Sequence, residues 1–322
     1  MRRQILQVIA SCTDRKRGEP EPSHRLGAHP VGSRRASSWA RALVRGTSTT
    51  PAGDLYVGNH WSVARSIAET APARGWCQVE LWAASAGYGL VGYDEPVRCY
   101  SATFAPRHPD SVITLDAPGT PAEQARAWWT ALRQIPRTSG RPTSVADLVT
   151  TTPEATLLIF ASSPYLHAME SDLLAARQRL QEPSRLIIVT NEGYRPGRLA
   201  ESLVTSSAPM RGELGGQLTS LHARVARYLV ENIPPTRFRA DEARSLVERL
   251  RTRSSIEPLP HRSTLTDQQV ITFIRTELRG TDGLSASRLL RSLRDSGRAC
   301  EQKRFKRLFD HARGESCKLA KA

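Results

Sequence analysis

The chain has 322 residues, 39% of them hydrophobic, with a formal net charge of +15 and a sequence pI near 10.4. That length allows two domains with cores of their own, and the ordinary hydrophobic content excludes wholesale disorder. A GC-rich genome explains Arg replacing Lys but not 46 basic residues against 31 acidic ones, an excess that points to a polyanionic partner, nucleic acid ahead of a charged membrane surface.

Ile5 to Ala10 reads as a short buried strand, followed by the polar turn Ser11-Cys12-Thr13-Asp14-Arg15-Lys16. Met1-Arg2-Arg3 and the apolar stretch ending at Cys12 loosely mimic a lipoprotein signal. Gln4 and Gln7 interrupt that stretch, however, and an export signal needs a core of roughly 7–15 apolar residues. Residues 17–36 form a long loop. Ser37–Val44 reads as a short helix, and Asn59 as the N-cap of a helix to about Thr70. Val79–Ala84 is a second buried strand, entering the loop Ser85-Ala86-Gly87-Tyr88-Gly89-Leu90. Thr120 caps a helix to about Gln134, in which at most one of Trp128 and Trp129 faces the core. Strand Thr156–Ala161, helix Tyr165–Leu180, strand Arg185–Thr190 and helix Leu218–Val230 follow.

Apolar strands alternating with helices predict an α/β fold with a mostly parallel sheet flanked by helices. Ligands of such sheets sit at the C-terminal strand ends, where the loops 11–16, 85–90, 162–165 and 191–194 converge. Pro234-Pro235 closes this domain, which spans 1–233; residues 234–263 form a charged connector with one helix at 240–252. Residues 264–322 form a small all-helical module, with helices Thr266–Leu278, Ser285–Asp295 and Glu301–Ala312. Its break Ser296-Gly297-Arg298-Ala299 is similar to a helix-turn-helix connection.

Five cysteines without CxxC spacing support neither a disulfide framework nor a zinc site. We therefore expect a cytoplasmic protein with no metal and no cofactor. No stretch approaches the ~20 apolar residues of a membrane span, so no membrane partner is expected.

The turn Ser11-Cys12-Thr13-Asp14-Arg15-Lys16, the block Ser85-Ala86-Gly87-Tyr88-Gly89-Leu90-Val91 and the segment Pro96-Val97-Arg98-Cys99-Tyr100 together resemble the YaaA-like superfamily over roughly residues 4–230. The family's adjacent Pro-Tyr is split here between Pro96 and Tyr100, and the water-activating motif of uracil-DNA glycosylases is absent. The resemblance implies a fold similar to uracil-DNA-glycosylase-type enzymes, a base-sized pocket, N-glycosidic chemistry on DNA and a link to nucleobase modification and phage defence.

Cleaving an N-glycosidic bond builds positive charge on the sugar, which a nearby carboxylate stabilises. Asp14 stands where that carboxylate is useful, or else caps its turn; Asn191 orients a water or a base edge, or serves as a turn residue. Asp94 and Glu95 read as solvated loop charges. Tyr88, between Gly87 and Gly89, is either a stacking ring or a core residue, and Gly87 and Gly89 permit close backbone approach to a phosphate or sugar, with Gly87 counted in the substrate-binding set. Ser162 and Ser163 bind phosphate or cap the following helix. Ser11, Cys12, Lys16, Ser85 and Tyr100 complete the substrate-binding set, with Cys12 read as a buried structural thiol. In the module, Arg288, Arg291 and Arg294, then Lys303, Arg304, Lys306 and Arg307, form basic helix faces for duplex phosphates. The expected function is excision of a modified base from DNA. The alternatives are a non-catalytic binder of distorted DNA and a base-exchange or nucleotide-processing enzyme.

Overall fold

A computed structural model describes residues 4–45, 48–136, 140–195, 197–254, 263–280 and 284–319, without the side chains of 279–280 and 314–319. Residues 255–262 of the expected connector lie outside the described residues. The described chain falls into two compact units, one up to residue 254 and one from residue 263.

The first unit is built on strand β1 (Ile5–Ser11), in which all seven residues are buried. β1 is mostly apolar because it is covered on both faces and paired on both edges. Its neighbours are β2 (Gln78–Ser85) and β4 (Thr156–Phe160), both parallel to it. Gln7 is the polar residue within it, and its Oε1 accepts the Trp82 indole N–H at 2.7 Å. Strands β3 (Gly89–Gly92), β5 (Leu186–Asn191) and β6 (Leu203–Ser206) complete a six-stranded sheet in the order β3-β2-β1-β4-β5-β6. Only β3 is antiparallel, folding back on β2 as a hairpin.

The longer helices of this unit are α1 (Arg35–Val44), α2 (Asn59–Thr70), α3 (Pro121–Leu132), α4 (Val145–Thr151), α5 (Ser163–Arg179), α6 (Leu221–Asn232) and α7 (Ala240–Arg253). The chain moves one way from β1 to β2 and the other way from β2 to β4. Right-handed crossovers therefore place α2 on one face and α3 to α5 on the other. α6 packs on α2, and α7 on α6.

Four expectations change. Residues 235–254 are not a connector: Ala240, Ala243, Val247 and Leu250 form a buried stripe by which α7 lies against β6. Asn59 does not cap α2; the cap is Gly58, at φ 105°, and the Asn59 Oδ1 accepts instead from Ser220 Oγ and Arg224. Trp128 and Trp129 are both buried, because α3 is covered on two sides. The Trp128 indole donates to the Ala86 carbonyl at 2.8 Å and that of Trp129 to Asp172 Oδ2 at 3.0 Å. Asp172 also accepts the backbone N–H groups of Val145 and Ala146, so this buried carboxylate caps α4 from α5. Glu95 is not a solvated loop charge: it is 6% exposed and accepts the Gly92 N–H, whereas Asp94 is exposed and paired with Arg141.

The second unit holds β7 (Ser263–Thr264), α8 (Asp267–Gly280), α9 (Ala286–Asp295), β8 (Arg298–Ala299) and α10 (Gln302–Leu319). Its separate core includes Val270, Ile274, Leu289, Leu293, Phe305 and Phe309. The expected caps form: Thr266 exchanges hydrogen bonds with Gln269, and Ser285 Oγ accepts the Arg288 N–H. The unit is not all-helical, because the break after α9 pairs with Ser263–Thr264 as a parallel strand. Among the described residues no helix is long and apolar enough to cross a membrane.

The loop after β2 is packed rather than open. Trp39 donates to the Gly87 carbonyl at 2.8 Å, and a Cβ on Gly87 would lie 2.4 Å from the Tyr100 ring. Gly87→Ala should therefore cost about 1–3 kcal/mol and lower the calorimetric melting temperature of the first unit by several degrees. An unchanged melting temperature would show that the Tyr100 ring is free to move.

Candidate functional site

The strand order reverses at β1, so the loops after β1 and β4 flank the switch point of the sheet, the place where open α/β sheets bind ligands. The Cys12 N–H bonds the Ala84 carbonyl at 2.8 Å, carrying β1 one residue further along β2. This holds the Cys12 sulfur, 7% exposed, at the centre of a polar cluster. Tyr165, from the first turn of α5, lies 3.0 Å from Cys12 Sγ through its hydroxyl, and Tyr100 Oη donates to the same sulfur at 3.4 Å. The Tyr100 oxygen is then left to accept from Ser85 Oγ at 2.7 Å and Tyr56 Oη at 3.2 Å. Ser85 Oγ in turn accepts the N–H groups of Gly87 and Tyr88. Burial first, and then the neighbouring Cys12, push the phenols of Tyr56, Tyr100 and Tyr165 above their ordinary range. They are neutral hydrogen-bond donors at pH 7.

The charged residues stand at the lip of this cluster. Lys16 Nζ lies 4.4 Å from the centre of the Tyr100 ring and donates to the Asp14 carbonyl at 3.4 Å. Asp14 is exposed, and its carboxylate makes no hydrogen bond or ion pair among the described residues. The turn is closed instead by Thr13 Oγ1, which donates to the carbonyls of Arg15 and Val57, so Asp14 is not its cap. Ser162 stands at the N-cap of α5 without a side-chain capping bond, and the hydroxyls of Ser162 and Ser163 make no hydrogen bond among the described residues.

Of the two readings of Tyr88, the core residue holds and the open stacking ring does not: it is 7% exposed, packs edge-on against Tyr100 and accepts the Arg98 N–H. Gly87 serves the packing of Tyr100 and Trp39 rather than a phosphate. Asn191 is not brought beside Asp14: β5 is two strands from β1, about 10 Å at ordinary strand spacing, and Asn191 Oδ1 is taken by Ser206 Oγ at 2.8 Å.

Residues without a sequence signal join the site. Tyr56 and Tyr165 complete the cluster, and His60 Nε2 lies 3.4 Å from Ser11 Oγ. The His60 ring packs on Phe160 and on His222, the latter with centroids 4.9 Å apart. His222 is 2% exposed and neither ring nitrogen has a hydrogen-bond partner among the described residues, while His60 keeps part of its side chain open to solvent. Burial lowers His60 to about 4 and, with the neighbouring His60, His222 to about 3.

A cavity of about 650 Å³ lies elsewhere, lined among others by Arg65, Glu80, Trp82, Asp94 and Arg141. It sits along the first half of β2, away from the C-terminal strand ends, so its size does not make it the site. A cavity of about 310 Å³ is lined by Tyr88, Glu95 and Arg98, next to the cluster through the Tyr88–Tyr100 contact. No cluster of three His, Cys, Asp or Glu fit to hold a metal occurs among the described residues.

In the second unit, Arg288 and Arg291 on α9, and Lys303, Lys306 and Arg307 on α10, are exposed. Two expected phosphate contacts are committed internally. Arg294 donates to the Cys300 carbonyl at 3.1 Å, and Arg304 ties Asp267 and the Leu265 carbonyl.

Comparison with known proteins returns no matching family model, no matching curated protein and no matching solved structure.

Both depressed imidazoles are neutral in the folded state and accept a proton more readily once unfolded. Their contribution to stability is present above pH ~6.5 and is lost as pH falls towards 4 and then 3. Lowering the pH from 7 to about 4.5 should reduce the melting temperature of the first unit, and His222→Phe should lessen that loss. Identical pH profiles for the two proteins would exclude His222 as a source of the acid sensitivity.

Proposed function

We propose that the first unit excises a modified base from DNA at the β1–β4 edge by cleaving its N-glycosidic bond, and that the basic second unit holds the duplex. The Asp14 carboxylate carries this reading. It is exposed, unpaired among the described residues and close enough for its charge to join burial and Cys12 in holding the Tyr165 phenol protonated. Bound DNA would cover it and lower the local dielectric, strengthening its attraction for a cationic sugar. Lys16 balances the departing anionic base. The target must be extruded from the stack, which costs a few kcal/mol and least for an unusual base. The YaaA-like resemblance supports the same chemistry and a role in defence against phage with modified genomes. In the second unit, α9 and α10 resemble a helix-turn-helix pair, with the exposed cations of both helices meeting phosphates.

One observation favours a non-catalytic grip on distorted DNA: Cys12, Tyr100 and Tyr165 are 7%, 1% and 9% exposed, so side chains fill the edge. Incubation with DNAs of differing modification, followed by alkaline cleavage at abasic sites, separates the two. On an active substrate, Asp14→Asn should leave DNA binding intact and slow single-turnover excision by ~100-fold or more; equal rates would remove Asp14 from the chemistry.

Replacing Lys303, Lys306 and Arg307 by Ala should weaken binding to all sequences alike and reduce the salt slope by about 0.9 for each phosphate left without its cation. An unchanged slope would show that these cations are only solvated. Arg304→Ala should instead destabilise the second unit through loss of its tie to Asp267.

A further inference from the structure

The segment leading into α2 is hydrogen-bonded to the β1 loop. Thr13 Oγ1 donates to the Val57 carbonyl at 2.9 Å, and the Val57 N–H donates to the Arg15 carbonyl at 3.2 Å. Gly58, which precedes the helix, has no side chain to cap it, so the N–H groups of Asn59, His60 and Trp61 receive no acceptor from the N-cap. The positive end of a 12-residue helix dipole therefore faces the loop that carries Asp14 and Lys16.

A second, separate feature lies at this end. His222, from the first turn of α6, packs its ring on that of His60, is 2% exposed and has no partner for Nδ1 or Nε2 among the described residues. Buried imidazoles rarely go without a partner, and a neutral imidazole offers one N–H to an acceptor. Asn59 Oδ1 ties the two helix ends together by accepting from Ser220 Oγ at 2.7 Å and Arg224 Nη2 at 3.1 Å, which also brings in a guanidinium.

We propose that the amino-terminal end of α2 is an oxyanion subsite for a phosphate group, bound by the first-turn N–H groups of α2 and by a ring N–H of His222. Helix N-termini bind phosphate through aligned N–H groups and the dipole together. A phosphate held here places the sugar of its nucleotide beside Asp14 and Lys16, because the Thr13–Lys16 turn is bonded to the segment that starts the helix. The inference rests on the reading of this edge as a nucleotide site but does not require base excision.

The test uses the full chain and inorganic phosphate as the probe, with potassium chloride at matched ionic strength as the control. Imidazole resonances report the site directly and calorimetry gives the affinity. Asn59→Asp keeps the acceptor for Ser220 and Arg224 and suits a helix N-terminus, so it should fold with an unchanged or higher melting temperature. Its new charge should nevertheless weaken phosphate binding by about tenfold or more. His222→Phe, which fills the same space without a donor, should also weaken binding. Saturable shifts of the His60 and His222 resonances, lost in Asn59→Asp, support the subsite. Shifts no larger than those with chloride, or equal binding by Asn59→Asp, overturn it. Titrations with deoxycytidine 5′-monophosphate and with a short single-stranded oligonucleotide then distinguish a free nucleotide from a chain phosphate by whichever binds more tightly. Phosphate binding without abasic-site formation on any DNA would leave the subsite standing and count against excision.

Discussion

The hydroxyl of Tyr100 is the constraint on which the candidate site depends. It touches Cys12 from β1, Ser85 from β2 and Tyr56 from the segment leading into α2, so one oxygen joins three parts of the chain. Each of these contacts is buried, where an unmade hydrogen bond costs more than in water. Gly87 leaves the ring its room, and Lys16 lies over its face. The positions of the Cys12 sulfur, the β1 turn and the start of α2 follow from that one side chain.

The edge separates charge from neutrality. Its buried titratable groups, three phenols and the His60–His222 pair, are held in their uncharged forms at pH 7. The charges of Asp14 and Lys16 stand outside them, at the lip. The lip thus carries charge, and the hydrogen-bonded cluster behind it carries none. Asp172 shows the contrasting case of a buried carboxylate given backbone and indole N–H partners, which marks it as structural.

Much of the first unit's fold was legible because its parallel strands are continuous apolar runs. Ile5–Ala10, Val79–Ala84, Thr156–Ala161 and Arg185–Thr190 each match a strand within about one residue. Shorter elements escaped, among them β3, bounded by glycines, and β6 and α4, rich in Ser and Thr. α7 was visible as a helix but not as part of the first unit, because its charges conceal a narrow apolar stripe. In the site, Ser11, Cys12, Lys16, Ser85 and Tyr100 were identified from the loops and do meet. Tyr56, His60, Tyr165 and His222 were not, because their proximity comes from helix packing between distant segments and leaves no spacing in the sequence. Tyr88 between two glycines was legible as special, but the sequence left a stacking ring and a core residue equally open, since the partners that cover it come from elsewhere in the chain.

The central position of β1 also bears on how the chain folds as it is made. β1 leaves the ribosome before both of its parallel partners, the strands that begin near Gln78 and Thr156. Until the second of these has been synthesised, one of the most apolar segments of the chain has an unpaired edge. Parallel pairing across such separations is slow because loop closure precedes any reward from contact. The interval between the synthesis of β1 and that of β4 is therefore a period of exposure to aggregation and to chaperones. That period ends when β4 docks on the opposite edge and seals the sheet through its middle.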